Sequence, residues 1–572
     1  VASHDLVIRG GTVIDGSGAD RRTADVAISD GIVTEVGRVT GTATRECDAD
    51  GALVIPGFVD IHTHYDGQAV WDDHLAPSSW HGVTTTVFGN CGVGFAPVHD
   101  FDHDRLVQLM EGVEDIPDTA LHEGLPWTWN SFAEYLDALD TPKDVDFAAQ
   151  VPHGALRLNV MGERGAARED ATDADIEAMG ELAAEGIEAG ALGFTTSRTS
   201  NHRTSSGDFT PTLTAAAEEL IGIAETVGRT GKGVFQLVSD FVDRDLEFAM
   251  LRDMCEASGR PLSFTLVESP RLGDFHTDLL ARIESARADG LRITGQVPVR
   301  PIGVLLGFEC TLNPFMNNPV WSEIAQLAPA ERVRALAAGG RRERLLAAAG
   351  GVDPHAVGGR LVEKYDLMFD LGDRPCYEPD PSESVARRAS RMGIDPAELA
   401  LDLLCEAGGT NVLWVPFSNY GHGNLDTTRD LLTHPHTVPA LSDGGAHVGT
   451  ICDGSFPTTL LQHWGRDRPD GRIELEFLVQ RQCRDTAAAV GLEDRGVLAP
   501  GMRADVNVID LDRLAVHRPE AVYDLPAGGR RLLQRADGYL HTFVAGTETY
   551  CGGEATGELP GRLVRGAQPA AA

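Results

Sequence analysis

The sequence predicts an α/β protein built on a parallel sheet, and three observations carry that prediction. Val54, Ile55, Phe58, Val59 and Ile61 make an apolar run interrupted by Pro56 and Gly57. Such a run reads as a strand buried on both faces, as strands of parallel sheets are. From residue 56 to about 480, further strand-like runs alternate with helical patterns, the signature of parallel α/β architecture. Both chain ends instead read as short strands separated by glycine-rich turns.

In order, residues 5–55 give strand patterns at Leu6-Val-Ile8, Gly10-Gly-Thr-Val-Ile-Asp15, Asp25-Val-Ala-Ile28 and Gly31-Ile-Val-Thr-Glu-Val-Gly37. After the 54–61 run, Thr84-Thr-Thr-Val-Phe-Gly89 is the second strand of the sheet and Val145–Val151 the third. Asp173–Leu182 reads as a helix capped by Thr172, leading to a fourth strand at Gly193-Phe-Thr-Thr-Ser197. Gly233–Val238, Pro261–Val267 and Arg292–Val297 follow as fifth to seventh, and Thr437–Asp443 as the last. Residues 308–412 are too long for a plain loop and read as an insertion over the top of the sheet, helix-rich around 329–349. The segment Gly496–Asp510 and strand-like Leu540–Gly546 return to the pattern of the N-terminal end.

Composition bounds function. The 572 residues are enough for a large core and additional domains. A net charge of −38 argues against nucleic acid, whose phosphates need a basic face, and against anionic membranes. No apolar run approaches the roughly 20 residues of a membrane helix. The N-terminus enters strand pattern directly, without a signal-peptide pattern. The nine cysteines are scattered, with no Cys-x-x-Cys, which suits free thiols in a reducing compartment. We expect a cytoplasmic protein acting on a small molecule; homo-oligomerisation is left open.

The 54–61 run ends in His62-Thr63-His64. Residues i and i+2 of a strand point to the same side, so two imidazoles converge at the strand's C-terminal end, where barrel enzymes keep their chemistry. Convergent imidazoles suit Zn²⁺ or a similar borderline ion. Asp443, in Leu441-Ser-Asp-Gly-Gly-Ala-His447, is a carboxylate at the end of the last buried strand. It can ligate a metal and shuttle a proton. Cys91 lies in a Gly-Asn-Cys-Gly turn whose small residues permit close approach; it reads either as a thiolate ligand or as a buried structural thiol.

The stretch around His62 resembles the first barrel strand of the metal-dependent amidohydrolase superfamily. Ser79-Trp-His-Gly-Val-Thr-Thr-Thr-Val-Phe-Gly-Asn-Cys-Gly-Val-Gly-Phe-Ala-Pro97 is similar to the matching segment of N-acyl-D-amino-acid deacylases (D-aminoacylases). The resemblance is dense over 1–100, 185–200 and 440–515. It implies a TIM-like (β/α)8 barrel over 56–480, carrying the 308–412 insertion. Beside it stands a small β-sandwich formed by residues 1–55 and 496–572. It also implies metal ligation by His62, His64, Cys91 and Asp443.

The sequence departs from that family where two further histidines are expected at the ends of strands five and six. No histidine lies between His202 and His276. Gln236 and Leu266 stand at the corresponding places; a register shift brings in Val238 or Glu268, never a histidine. The only lysines, Lys143, Lys232 and Lys364, are not at strand ends, which argues against a carbamate-bridged pair of metals. The expectation is therefore one zinc ion. Glu268, Asp240, His202 and His447 are candidates to complete its surroundings. Arg198 follows the fourth strand and is a candidate clamp for a substrate carboxylate; Arg198, His202, Gln236, Glu268 and His447 form the expected substrate-binding set. Phe417–His422 is a candidate pocket-lining loop, and Tyr65 and Asp66 are candidates to orient the histidines. The first functional reading is metal-dependent hydrolysis of the amide of an N-acyl amino acid or small acylated peptide, with Asp443 as proton shuttle. The alternatives are another reaction on the same fold, such as cyclic-amide hydrolysis, deamination or decarboxylation, or a non-catalytic barrel that lost its metals.

Overall fold

A computed structural model describes residues 3–269, 272–348 and 359–570. Strands β1 (His4–Val13), β2 (Arg22–Ser29), β3 (Ile32–Gly37), β4 (Ala43–Asp48) and β5 (Leu53–Pro56) open the chain. The single run expected at 54–61 is divided at Gly57 into β5 and β6 (Phe58–Asp60). The division is sharp because β5 serves the sheet of the chain ends and β6 starts the parallel sheet. Gly57 leaves no room for a side chain: a Cβ there would meet Thr84 Oγ1 at 2.1 Å.

The parallel strands are β6, β7 (Val83–Phe88), β8 (Asp146–Ala149), β9 (Val151–Pro152), β10 (Gly193–Arg198), β11 (Val234–Ser239), β12 (Leu262–Thr265) and β13 (Ile293–Val297). Two further strands, β14 (Gly303–Gly307) and β15 (Phe369–Asp370), pair antiparallel with β16 (Val412–Pro416); β14 and β16 flank the segment expected as an insertion, and β15 lies within it. The last parallel strand is β17 (Thr437–Pro439). One sheet runs β6-β7-β8 and another β9-β10-β11-β12-β13-β17, all parallel. Every residue of β6 and β7 is buried, as a strand covered on both faces must be. Beyond the ends of β6 and β17, Thr63 and Gly444 make a parallel bridge. The third strand is split at Gln150, and the C-terminal segment takes a place against its first half through the Phe147–Leu563 bridge.

Helices fill the connections. Asp173–Ala189 is capped as its sequence predicts: Thr172 Oγ1 accepts from Asp175 N–H, and the Asp175 carboxylate accepts from Thr172 N–H. The insertion contains the helices Pro329–Leu336 and Arg341–Ala347 and packs a core of its own around Phe308, Leu312, Trp321 and Leu413. Residues 349–358 of the expected insertion, including the last residue of its helix-rich stretch, lie outside the described residues.

The chain returns through β18 (Val506–Ile509), two small pairings of β19 (Ala515–Val516) with β22 (Ala536–Asp537) and β20 (Glu520–Leu525) with β21 (Gly529–Leu533), then β23 (Tyr539–Val544), β24 (Thr547–Cys551) and β25 (Glu554–Ala555). Both chain ends share one nine-stranded sheet in the order β25-β24-β23-β18-β5-β1-β2-β3, with β4 on β1. Among the described residues no helix is long and apolar enough to cross a membrane.

Candidate metal centre

His62 and His64 follow β6 and are buried, each 1% exposed, with ring centroids 5.5 Å apart. Each is backed by a polar side chain, and for His62 that contact sets the tautomer. Gln296 on β13 gives its amide N–H to Ser263 Oγ at 2.9 Å and turns Oε1 to His62 Nδ1 at 2.7 Å. His62 therefore carries its proton on Nδ1 and keeps a lone pair on Nε2. Glu114 Oε1 lies 3.3 Å from His64 Nδ1 and takes the same place behind His64.

The two Nε2 atoms then face one point. Asp443 Oδ1 is 3.5 Å from His62 Nε2 and 3.7 Å from His64 Nε2, and Cys91 Sγ is 3.4 Å from His62 Nε2. One donor atom each from His62, His64 and Cys91 lies within 4.8 Å of the other two. Zinc–nitrogen and zinc–sulfur bonds of about 2.0 and 2.3 Å place tetrahedral ligands about 3.3–3.8 Å apart, and the His62–Cys91, His62–Asp443 and His64–Asp443 separations fall in that range. The electrostatics agree. Both Glu114 oxygens and His64 Nδ1 are buried without an aligned hydrogen bond. Among the described residues, the ion-pair partners of Asp443 and Glu114 are histidines. Burial lowers His62 to about 4 and His447 to about 3, and raises Asp443, Glu114 and the Cys91 thiol well above their ordinary values. Neutral imidazoles beside acids that resist ionising form a site that gains from a cation.

The Cys91 turn is held from several directions. Cys91 has φ 56°, and Gly89 and Gly92 are also left-handed. A Cβ on Gly89 would meet Gln150 O at 2.4 Å, so only glycine fits. Asn90 donates to the carbonyls of Thr63 and Val87, tying the turn to the histidine segment. Cys91 N–H donates to Gln236 Oε1 at 3.1 Å. Gln236, at the position of the missing fifth-strand histidine, thus holds the turn, and its Nε2 is buried without a partner.

Asp443 corrects one expectation. The ladder of β17 ends at Pro439, and Asp443 lies beyond it with φ 48°, not at the strand end. The chain leaves the ladder through left-handed Leu441 and is re-anchored by Asp443 N–H donating to His62 O. The carboxylate reaches the histidines because this segment runs alongside them, held by the parallel Thr63–Gly444 bridge.

The other candidates divide. His447 joins the cluster, with Nε2 3.5 Å from Glu114 Oε2 and 4.0 Å from Asp443 Oδ2. His202, hydrogen-bonded to Ser197 at 2.9 Å, lies close enough to influence the ionisation of His62, His64 and His447. Arg198 is committed elsewhere: it pairs with Glu247 at 2.7 Å and donates to the Ala215 carbonyl. Asp240 accepts from Ser200, and Leu266 is wholly buried. Glu268 accepts from Gly421 N–H at 3.2 Å and faces His422, so it props the 417–422 loop. Tyr65 bonds Ser78, and Asp66 accepts from Gly89 N–H at 3.2 Å, so Asp66 steadies the cysteine turn instead of a histidine.

Glu114 is the member that the sequence reading missed. It ends the helix after β7, His103–Glu114, whose buried face includes Val107, Met110 and Val113. An acid four residues after Met110 on that apolar stripe was the available signal, since a carboxylate facing a core needs a partner.

An α/β fold with a buried His/His/Cys/Asp cluster at the C-terminal ends of its parallel strands defines a metal-dependent hydrolase class. The Amidohydrolase family profile matches residues 45–554. The chain is 34% identical to D-aminoacylase of Alcaligenes xylosoxydans xylosoxydans, covering 98% of this chain and 97% of that protein. It is 26% identical to N-acyl-D-aspartate deacylase of the same organism, covering 98% and 95%. Among solved structures, N-acyl-D-glutamate deacylase from Bordetella bronchiseptica, complexed with zinc and a phosphonate inhibitor, superposes with a TM-score of 0.63 at 24% identity, covering 98% of this chain and 99% of that one. The chain belongs to the amidohydrolase family and is a metal-dependent hydrolase of amide bonds.

Proposed function

We propose that this chain deacylates N-acyl-D-amino acids, using one zinc ion held by His62 Nε2, His64 Nε2, Cys91 Sγ and Asp443. The observation that carries the reading is the convergence of those donors, with the tautomer of His62 set by Gln296 and the Glu114 carboxyl group standing behind His64. When bound, the ion supplies Lewis acidity to the water and to the scissile carbonyl. Asp443 takes a proton from the attacking water as the new C–O bond forms. It returns that proton to the amide nitrogen as the C–N bond breaks, giving a free amine and a carboxylic acid, which loses its remaining proton to the amine or to solvent. Burial makes its carboxylate more basic, which suits this traffic. Glu114 keeps His64 oriented, as carboxylates behind metal-bound histidines do. We assign His202, His447 and the buried Gln236 Nε2 to the polar surroundings of the substrate.

The architecture we propose is a closed (β/α)8 barrel with a β-sandwich from both chain ends. The Thr63–Gly444 bridge and the shared sheet of the termini support it. The D-specificity rests on the names of the relatives. The test is amine release by the zinc-loaded protein from matched N-acetyl-D- and N-acetyl-L-amino acids. Turnover of the D series is expected; no release from either series would overturn the reading.

A further inference from the structure

The sheet of the chain ends carries a second group of metal-binding side chains, far in sequence from the catalytic cluster. His541 on β23 stands opposite Cys551 on β24, Thr542 opposite Tyr550, and Phe543 opposite Glu548. The register slips between Thr542 and Phe543, leaving Thr549 as an extra residue. Glu548 and Cys551 are three apart and would point to opposite faces of a regular strand. The bulge turns both to the face that carries His541. One donor atom from each of His541, Glu548 and Cys551 lies within 4.8 Å of the others.

Two of the three already touch through a hydrogen bond. His541 Nδ1 is 2.5 Å from Glu548 Oε1. Arg45 occupies only the other carboxylate oxygen, Oε2, and leans over the Phe543 ring at 5.7 Å. Cys551 is exposed, and the His541 side chain is 23% exposed, so ions reach the group from solvent. Tetrahedral ligands around zinc are about 3.3–3.8 Å apart, so side-chain rotations of about an ångström bring the trio to that spacing.

We propose that His541 Nδ1, Glu548 Oε1 and Cys551 Sγ form a separate site for a zinc-class divalent ion, with a fourth position open to solvent. Thiolate, imidazole and carboxylate together favour a borderline transition ion over Mg²⁺ or Ca²⁺. Binding displaces the Cys551 thiol proton and any proton shared by His541 and Glu548. The ion would pin β24 to β23 at the bulge.

The test uses the full-length protein, stripped with a chelator and titrated with Co²⁺ and Zn²⁺. Cobalt bound through a cysteine gives a thiolate charge-transfer band in the near ultraviolet. In Cys91→Ala protein one such band is expected to persist, and it is expected to vanish when Cys551→Ala is added. In the otherwise native protein, Cys551→Ala and His541→Ala should each lose one equivalent of bound zinc while hydrolytic activity stays unchanged; a Cys376→Ala control should lose none. The proposal is overturned if Cys551→Ala and His541→Ala bind as many ions as the native protein. It is also overturned if the single band depends on Cys91 alone. The native-background variants decide the matter even where Cys91→Ala fails to fold.

Discussion

Glu114→Gln separates the metal centre proposed here from an ordinary buried acid. The substitution keeps the shape of the side chain and an oxygen for His64 Nδ1, 3.3 Å away, but removes the charge. With metal bound, that charge polarises His64 Nδ1–H and strengthens Nε2 as a donor. Loss of such a supporting carboxylate weakens metal binding about 10–100-fold, or about 1.4–2.8 kcal/mol. Without metal the sign reverses. Both Glu114 oxygens are buried without aligned hydrogen bonds, and Asp443 and Asp66 add to the electrostatic cost of ionising it. The metal-free variant should therefore be at least as stable as the metal-free native protein. The assays are chelator competition for affinity and thermal melting of the stripped proteins. Unchanged affinity together with lowered metal-free stability would show that Glu114 is a structural acid and refute the reasoning.

Four further outcomes follow from the same geometry. Asp443→Asn should cut turnover by about 10²–10⁴-fold with a smaller change in KM, measured beside metal content; turnover near the native value would remove Asp443 from the proton path. Metal affinity should rise with pH across 6–8. The histidines, with His62 lowered to about 4 and His447 to about 3, are already neutral there, whereas Cys91 and Asp443, both raised, must give up protons. Cys91→Ala should reduce the proton release seen by calorimetry in different buffers by about one, and an undiminished release would count against thiolate ligation. Gly445→Ala should lower activity and metal binding together. Its φ of 89° is strained for alanine, and the new Cβ would meet Tyr65 Cδ1 at 2.8 Å and His64 O at 2.9 Å; full activity would mean that the Asp443 turn tolerates movement.

Much of the fold was legible because period and length are local properties. The β-branched run Val83-Thr-Thr-Thr-Val87 of β7 and the alternating strand and helix patterns needed no tertiary information, nor did the overlong segment 308–412. The His62/His64 pair was legible for the same reason, since the two-residue period of a strand decides that the imidazoles share a side. Asp443 was identifiable as a residue but not as a geometry. Its left-handed backbone and its anchor on His62 O depend on a chain segment that only folding brings near. Arg198 illustrates the opposite failure. A lone arginine after a strand looks available until Glu247, 49 residues on, occupies its guanidinium.

The residues that complete the centre share a property that explains why sequence alone did not place them: their roles are defined by a partner. Gln236 stands where a histidine was expected and works through its oxygen, which receives Cys91 N–H and fixes the cysteine turn. Gln296 works through an amide whose orientation is chosen by Ser263. Glu114 works through a histidine 50 residues earlier. Each is a polar side chain inside a core, so each had to find a partner or disfavour the fold. In the centre proposed above, which has no histidine from the fifth and sixth strands, the work of holding the metal falls more to Cys91 and Asp443. The uncharged Gln236 keeps Cys91 in place without adding a ligand. With fewer imidazoles, the thiolate and carboxylate carry more of the binding, so metal affinity in this chain should depend on Cys91 more steeply than on any single histidine behind it.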